Sequence, residues 1–165
     1  MKKGLLVLVC CFFATAAFAE TRGFQLSITP DIAIHSKDTR IGGVSLGIWS
    51  QNPQDAITLG VVNGSTGASS GLSLGLLANY SETYKGAQLA FIANYASGNM
   101  TGLQWAAFNY ATNLKGLQLG FINYADTCQK GVQIGLINVM NETRHWFTNL
   151  PHEVAPVMVF VNWRY

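Results

Sequence analysis

The sequence predicts an all-β protein, and three observations carry that reading. A unit running from glycine to asparagine recurs about every 15 residues. Within each unit apolar side chains alternate with polar or very small ones, the two-residue period of a strand. Beyond the first 19 residues no stretch shows the 3.6-residue period of an amphipathic helix.

The N-terminal segment stands apart from the repeats. Lys2 and Lys3 precede the apolar run Leu5 to Phe13, and Ala17-Phe18-Ala19 follows it. A charged start, a short apolar stretch and a small-x-small end describe a secretory signal peptide. The run is too short to span a bilayer as a helix, which takes about 20 residues. Cleavage is expected after Ala19, giving a signal over 1–19 and a single repeat-built β domain over 20–165. Lys2 and Lys3 account for the whole excess of ten Lys and Arg over eight Asp and Glu, so the mature chain has no net formal charge. With neither a basic surplus nor a basic run, it lacks the footprint of a nucleic-acid binder. Cys128 is the one cysteine of the mature chain, so no internal disulfide framework is expected.

The clearest units are Gly116-Leu-Gln-Leu-Gly-Phe-Ile-Asn123 and Gly131-Val-Gln-Ile-Gly-Leu-Ile-Asn138, with Gly102-Leu-Gln-Trp-Ala-Ala-Phe-Asn109 close to them. The units from Gly71 to Asn79 and from Gly86 to Asn94 carry one extra residue before the asparagine. Two upstream units, Ala56 to Asn63 and Gly43 to Ser50, bring the number to seven, over about 43–140. The asparagines from Asn79 to Asn138 are spaced 15, 15, 14 and 15 residues apart. Alternation puts Leu117, Leu119 and Phe121 on one face and Gln118, Gly120 and Ile122 on the other. Polar connectors such as Ser81 to Lys85 and Asp126 to Lys130 hold the residues of short turns.

Two architectures satisfy this pattern. The first is a small antiparallel outer-membrane-type β-barrel of about eight strands. Ten residues rising about 3.3 Å each and tilted about 40° cover about 25 Å, the height of a barrel's apolar band. The apolar face would then meet outer-membrane lipid, and Tyr80, Tyr95, Tyr110 and Tyr124 would form an aromatic girdle. The alternative is a β-solenoid of 15-residue coils that stacks the recurrent asparagines into a ladder. The even Asn spacing favours it, as does an extra residue placed just before Asn, since a corner absorbs an insertion that would flip the facing of a strand. The chain end favours the barrel. A terminal strand at about 154–165 alternates Val157, Val159, Val161, Trp163 and Tyr165 up to the last residue. This resembles the C-terminal β-signal of outer-membrane barrel proteins, and Val159, Val161, Trp163 and Tyr165 would be its residues. The resemblance implies the barrel assembly machinery as a partner during biogenesis. The barrel is therefore the expected fold.

The Gly-[Leu/Val]-Gln-[Leu/Ile]-Gly-x-x-Asn units also resemble those of uncharacterised bacterial surface repeat-containing proteins, over about residues 43–140. That resemblance implies export and a surface setting, with no activity attached, and the expected location is the outer membrane or cell surface of a Gram-negative-type bacterium.

Catalytic signatures are missing from the sequence. Gly64-Ser-Thr-Gly67 lacks the lysine and helix of a phosphate loop. His145, His152 and Glu153 share one segment, but a metal site needs a fixed geometry that a polar-aromatic loop does not supply. The expectation is a non-enzymatic structural or surface-interaction protein without cofactor or metal, or, if the fold is a solenoid, one that binds a partner through its repeat face. The repeat-defining residues are Gly71, Asn79, Gly86, Asn94, Gly102, Asn109, Gly116, Asn123, Gly131 and Asn138.

Overall fold

The computed structural model describes residues 21–165, so the expected signal segment lies outside the described residues. They form eight strands: β1 (Thr21–Thr29), β2 (Ile32–Ala33), β3 (Arg40–Asn52), β4 (Asp55–Ala90), β5 (Ala93–Trp105), β6 (Phe108–Leu119), β7 (Ile122–Met140) and β8 (Val157–Arg164). β4, at 36 residues, runs through more than two repeats. The fold is a β-solenoid of about eight turns.

This corrects the expected antiparallel barrel. A meander pairs successive strands antiparallel, whereas β3 to β7 pair in parallel, like on like. Gly86 faces Gly102, Gly102 faces Gly116 and Gly116 faces Gly131. Asn79, Asn94, Asn109 and Asn123 align in the same way. The sheet order is open, from β2 and β1 at one end to β8 at the other, and β8 does not return to β1. Parallel in-register stacking is the one arrangement that places every asparagine against another asparagine.

The interior inverts the usual partition of side chains. Gln88, Gln104, Gln118 and Gln133 are fully buried, as are the aligned asparagines. A buried amide without partners is costly, so these form ladders. Asn79 Nδ2 donates to Asn94 Oδ1 at 2.9 Å, Asn94 to Asn109 at 3.0 Å, Asn109 to Asn123 at 2.9 Å and Asn123 to Asn138 at 2.8 Å. Each link of this ladder donates toward the C-terminal end. The glutamine ladder runs the other way: Gln104 Nε2 donates to Gln88 Oε1 at 3.1 Å, Gln118 to Gln104 at 2.8 Å and Gln133 to Gln118 at 2.8 Å. The glutamines also span the coil, with Gln118 Nε2 donating to Tyr124 O and Gln133 Nε2 to Val139 O.

Small residues at two places in the unit make the ladders possible, glycine at the first in six of the seven units and glycine or alanine at the second. Gly116 has φ +144°, and a Cβ there would sit 2.0 Å from Gly102 O, so only glycine lets adjacent coils approach. The second glycine makes room for the amide: a Cβ on Gly120 would lie 2.7 Å from Asn109 Nδ2 and 2.1 Å from Ala106 O. Asn109 Nδ2 also donates to Leu119 O at 2.8 Å, tying the corner shut. The extra residue of the longer units falls in this corner. Leu89 faces Trp105 and Ala93 faces Phe108, so residues 90–92 of one coil match 106–107 of the next with no loss of register on either side.

The apolar core is confined to the far side of the coil. There Tyr84, Met100, Leu114 and Cys128 form one aligned column, and Ala96, Ala111 and Ala125 another. Both ends are closed by antiparallel strands, which blunt the open edges of a stacked sheet. β2 folds back on β1. β8 lies along β7, with Asn162 opposite Gln133 and fully buried at the end of the glutamine ladder.

Candidate docking face

The side chains that alternate outward make the outer surface of each coil. Leu89, Trp105, Leu119 and Ile134 form one aligned column, and Ala87, Leu103, Leu117 and Val132 another. At the corner two consecutive residues face outward, so Phe91 and Ile92, or Phe121 and Ile122, crown each coil. Exposure is high at several of these residues: 75% for Phe91, 61% for Phe121 and 58% for Trp105. From Gly to the residue before Asn, none of the seven units contains Asp, Glu, Lys or Arg. The small residues Gly60, Gly75, Ala90, Ala106 and Gly120 sit between the Leu/Trp column and the corner column. They leave an open apolar groove of about 700 Å³ that crosses the coils.

Two polar rows border this face. Lys85, Thr101, Lys115 and Lys130 align immediately before the first glycine of each coil. Alternation puts Lys115 on the same side as Leu117 and Leu119. The lysines are exposed, and none has a carboxylate within 4 Å among the described residues. Lys130 lies over the Tyr165 ring, 5.8 Å from its centroid. On the other border Tyr80, Tyr95, Tyr110 and Tyr124 align. The Tyr95 and Tyr110 rings stack at 5.0 Å, and those of Tyr110 and Tyr124 at 5.6 Å. The hydrogen bond from Tyr110 to Asp126 pushes the Tyr110 hydroxyl above its ordinary pKa.

The structure thus divides the sequence-derived residues between inside and outside. Gly71, Gly86, Gly102, Gly116 and Gly131 stack as one column against neighbouring backbone, and Asn79, Asn94, Asn109, Asn123 and Asn138 as another in the interior. These ten residues build the coil and touch no outer surface through their side chains. Val159, Val161, Trp163 and Tyr165 lie on the strand that caps the last coil or directly after it. Val159 and Tyr165 are exposed, and Trp163 Nε1 donates to Pro151 O. The lysine row escaped the sequence reading. Its signal was present, since Lys85, Lys115 and Lys130 each directly precede a repeat glycine.

A second, polar pocket lies in the loop before β8, lined by Glu142, Arg144, His145, Asn149, Glu153 and Arg164. Arg164 holds both acids, with N–O distances of 2.9 Å to Glu142 and 3.6 Å to Glu153. His152 does not line it, and among the described residues no three His, Cys, Asp or Glu side chains converge on one point. Cys128 is buried, and desolvation pushes its thiol up to about 11, away from the reactive thiolate. Among the described residues no helix is long and apolar enough to cross a membrane. No family model, curated protein or solved structure matches the chain.

Proposed function

We propose that this protein is a non-catalytic β-solenoid that acts after export by binding a partner through its repeat face. The observation that carries the reading is the uncharged apolar surface continuous across seven coils. Six rung spacings of about 4.8 Å and six residues of about 3.3 Å give a flat projection of about 29 by 20 Å, or about 580 Å². That is the upper limit of the largest apolar patch on ordinary monomers, about 300–600 Å². Val157, Val159 and Phe160 of the cap are exposed as well. A surface of this kind costs solubility unless something covers it. Export is supported by the charged and apolar N-terminal segment ending at Ala19, and N-terminal sequencing of protein recovered from the cell envelope should begin at Glu20.

The test of the binding face is the double variant Phe91→Glu/Phe121→Glu. Both side chains project outward and leave the ladders untouched. The wild-type chain should self-associate or take up detergent in aqueous buffer, and the variant should be monodisperse and detergent-free. A wild-type chain that is monodisperse, detergent-free and dark with hydrophobic dyes would refute the proposal.

A further inference from the structure

We propose that the occupant of the repeat face is an anionic lipid surface, on which the solenoid lies flat with its apolar side chains among the acyl chains. This rests on the reading of the repeat face as a docking surface and goes beyond it by naming the partner. Three features of the face point to lipid.

The first is the order of residue types across the coil. Reading outward from one border, the columns are lysine, leucine, leucine or tryptophan, then the phenylalanine–isoleucine corner, then tyrosine. An apolar band bordered by lysines on one side and stacked tyrosines on the other matches the layering of a membrane interface. Lysine stems lie along apolar surface with their ammonium groups in the headgroup layer. Tyrosine rings settle where one end is apolar and the other wet.

The second is charge. Lys115 and Lys130 are rung neighbours, about 4.8 Å apart along the stack, and their like charges repel. The nearby acids are engaged elsewhere, Glu82 accepting from Gly67 N–H and Asp126 from Tyr110. A second copy laid face to face would bring no free carboxylate to this row, because the repeat units contain none and the one acid at the same border position, Asp55, is held by Arg40 at 2.8 Å and by Ser70. Phosphate headgroups supply the missing negative charge along the whole row.

The third is shape. The groove floored by Gly60, Gly75, Ala90, Ala106 and Gly120 runs across the coils for about 19 Å, four rung spacings of about 4.8 Å. It is open along its length, as a surface that takes extended acyl chains side-on requires.

The experiment is vesicle flotation with the chain as recovered after export, beginning at Glu20, so that Lys2, Lys3 and the apolar run Leu5 to Phe13 contribute nothing to binding. Vesicles are phosphatidylcholine with or without phosphatidylglycerol, and a parallel set carries lipids brominated on the acyl chains. The wild type should float with phosphatidylglycerol vesicles, less so as salt rises. Brominated chains should quench its tryptophan emission, and Trp49→Phe/Trp105→Phe, which removes the two exposed tryptophans of the repeat units, should remove most of that quenching. Neutralising the row by K85Q/K115Q/K130Q should weaken binding to phosphatidylglycerol vesicles by about 100-fold at low salt, at roughly a factor of five per lysine. It should leave the weaker binding to phosphatidylcholine unchanged. F91E/F121E should lower binding to both by tenfold or more, with the circular-dichroism signal of a β fold retained.

Wild-type and variant chains that float equally would overturn the lipid assignment. So would a wild type that ignores vesicles and sediments as a discrete dimer dissolved by F91E/F121E. That result would make the occupant a second copy and leave the docking face standing. If F91E/F121E alters neither flotation nor sedimentation, the docking face falls as well.

Discussion

Replacing Asn109 tests whether the amide ladder holds the coils together. Asn109 is 2% exposed. Its Nδ2 donates to Asn123 Oδ1 at 2.9 Å and Leu119 O at 2.8 Å, and its Oδ1 accepts from Asn94 Nδ2 at 3.0 Å. In Asn109→Ala, Leu119 O keeps the Ala106 N–H and Asn94 Nδ2 keeps Gln88 O. Asn123 Oδ1 is left without a donor, and one N–H of Asn94 without an acceptor. Two buried orphans at about 1–3 kcal/mol each put the loss near 4 kcal/mol. Coils interact only with their neighbours, so the damage should stay local. Hydrogen exchange read by mass spectrometry should show faster exchange over residues 86–125, with 40–65 close to wild type. Asn109→Asp sharpens the test. Its carboxylate would face the acceptors Asn123 Oδ1 and Leu119 O, which favour the protonated acid. Its folded-state pKa should therefore exceed the unfolded value of about 3.9. Relative to wild type, N109D should be least harmful below that value and progressively worse as pH rises toward the folded pKa. A deficit for N109D that is the same at acid and neutral pH, or an N109A loss under about 1 kcal/mol, would refute the ladder argument.

Gly116→Ala places a Cβ 2.0 Å from Gly102 O at φ +144°, so it should cost more than about 3 kcal/mol and lower the urea midpoint accordingly. Cys128 should resist thiol reagents in the native chain and react on unfolding, as followed by the mass of its peptide. Its thiol lies above the ordinary value of 9.0, at about 11. The protonated form therefore contributes stability that is whole below pH 9 and lost as pH rises toward 11. Deleting residues 157–165 removes the cover over Gln133 and Asn138, so exchange should quicken over β7 while β3 stays protected. Equal quickening in both strands would contradict nearest-neighbour stacking.

Much of this structure is legible in the sequence, and the part that misleads does so for a definable reason. Period-two alternation separates Gln118 and Gln133, which face inward, from Leu119, Phe121, Ile134 and Leu136, which face outward, but it fails at the corner, where Ile122, expected on the face of Gln118 and Gly120, is exposed beside Phe121. A barrel and a solenoid demand the same alternation, so facing cannot choose between them. What chooses is whether like meets like across the strands. In a meander Asn109 would oppose an unlike residue. The near-constant Asn spacing, and the extra residue tucked before Asn79 and Asn94, already carried that information. The chain end pulled the other way. Val157 to Arg164 is a strand as expected, and it pairs antiparallel, but with the last coil in place of the first strand. Alternation records that a strand has one wetter face and cannot record which edge it covers. The lysine row was hidden because a charge recurring between repeats reads as a turn until the register brings the turns together.

The opposed directions of the two amide ladders bear on how long such a protein can become. A helix accumulates a macrodipole because its peptide units all point one way. Here the asparagine amides turn their positive ends toward one terminus and the glutamine amides toward the other, so each added coil contributes two dipoles that largely cancel. Growth by whole coils then carries no mounting electrostatic penalty, and the two ends need only supply caps. A gene encoding this fold is free to gain or lose units of about 15 residues by duplication or deletion, lengthening or shortening the face one rung at a time without redesigning its interior.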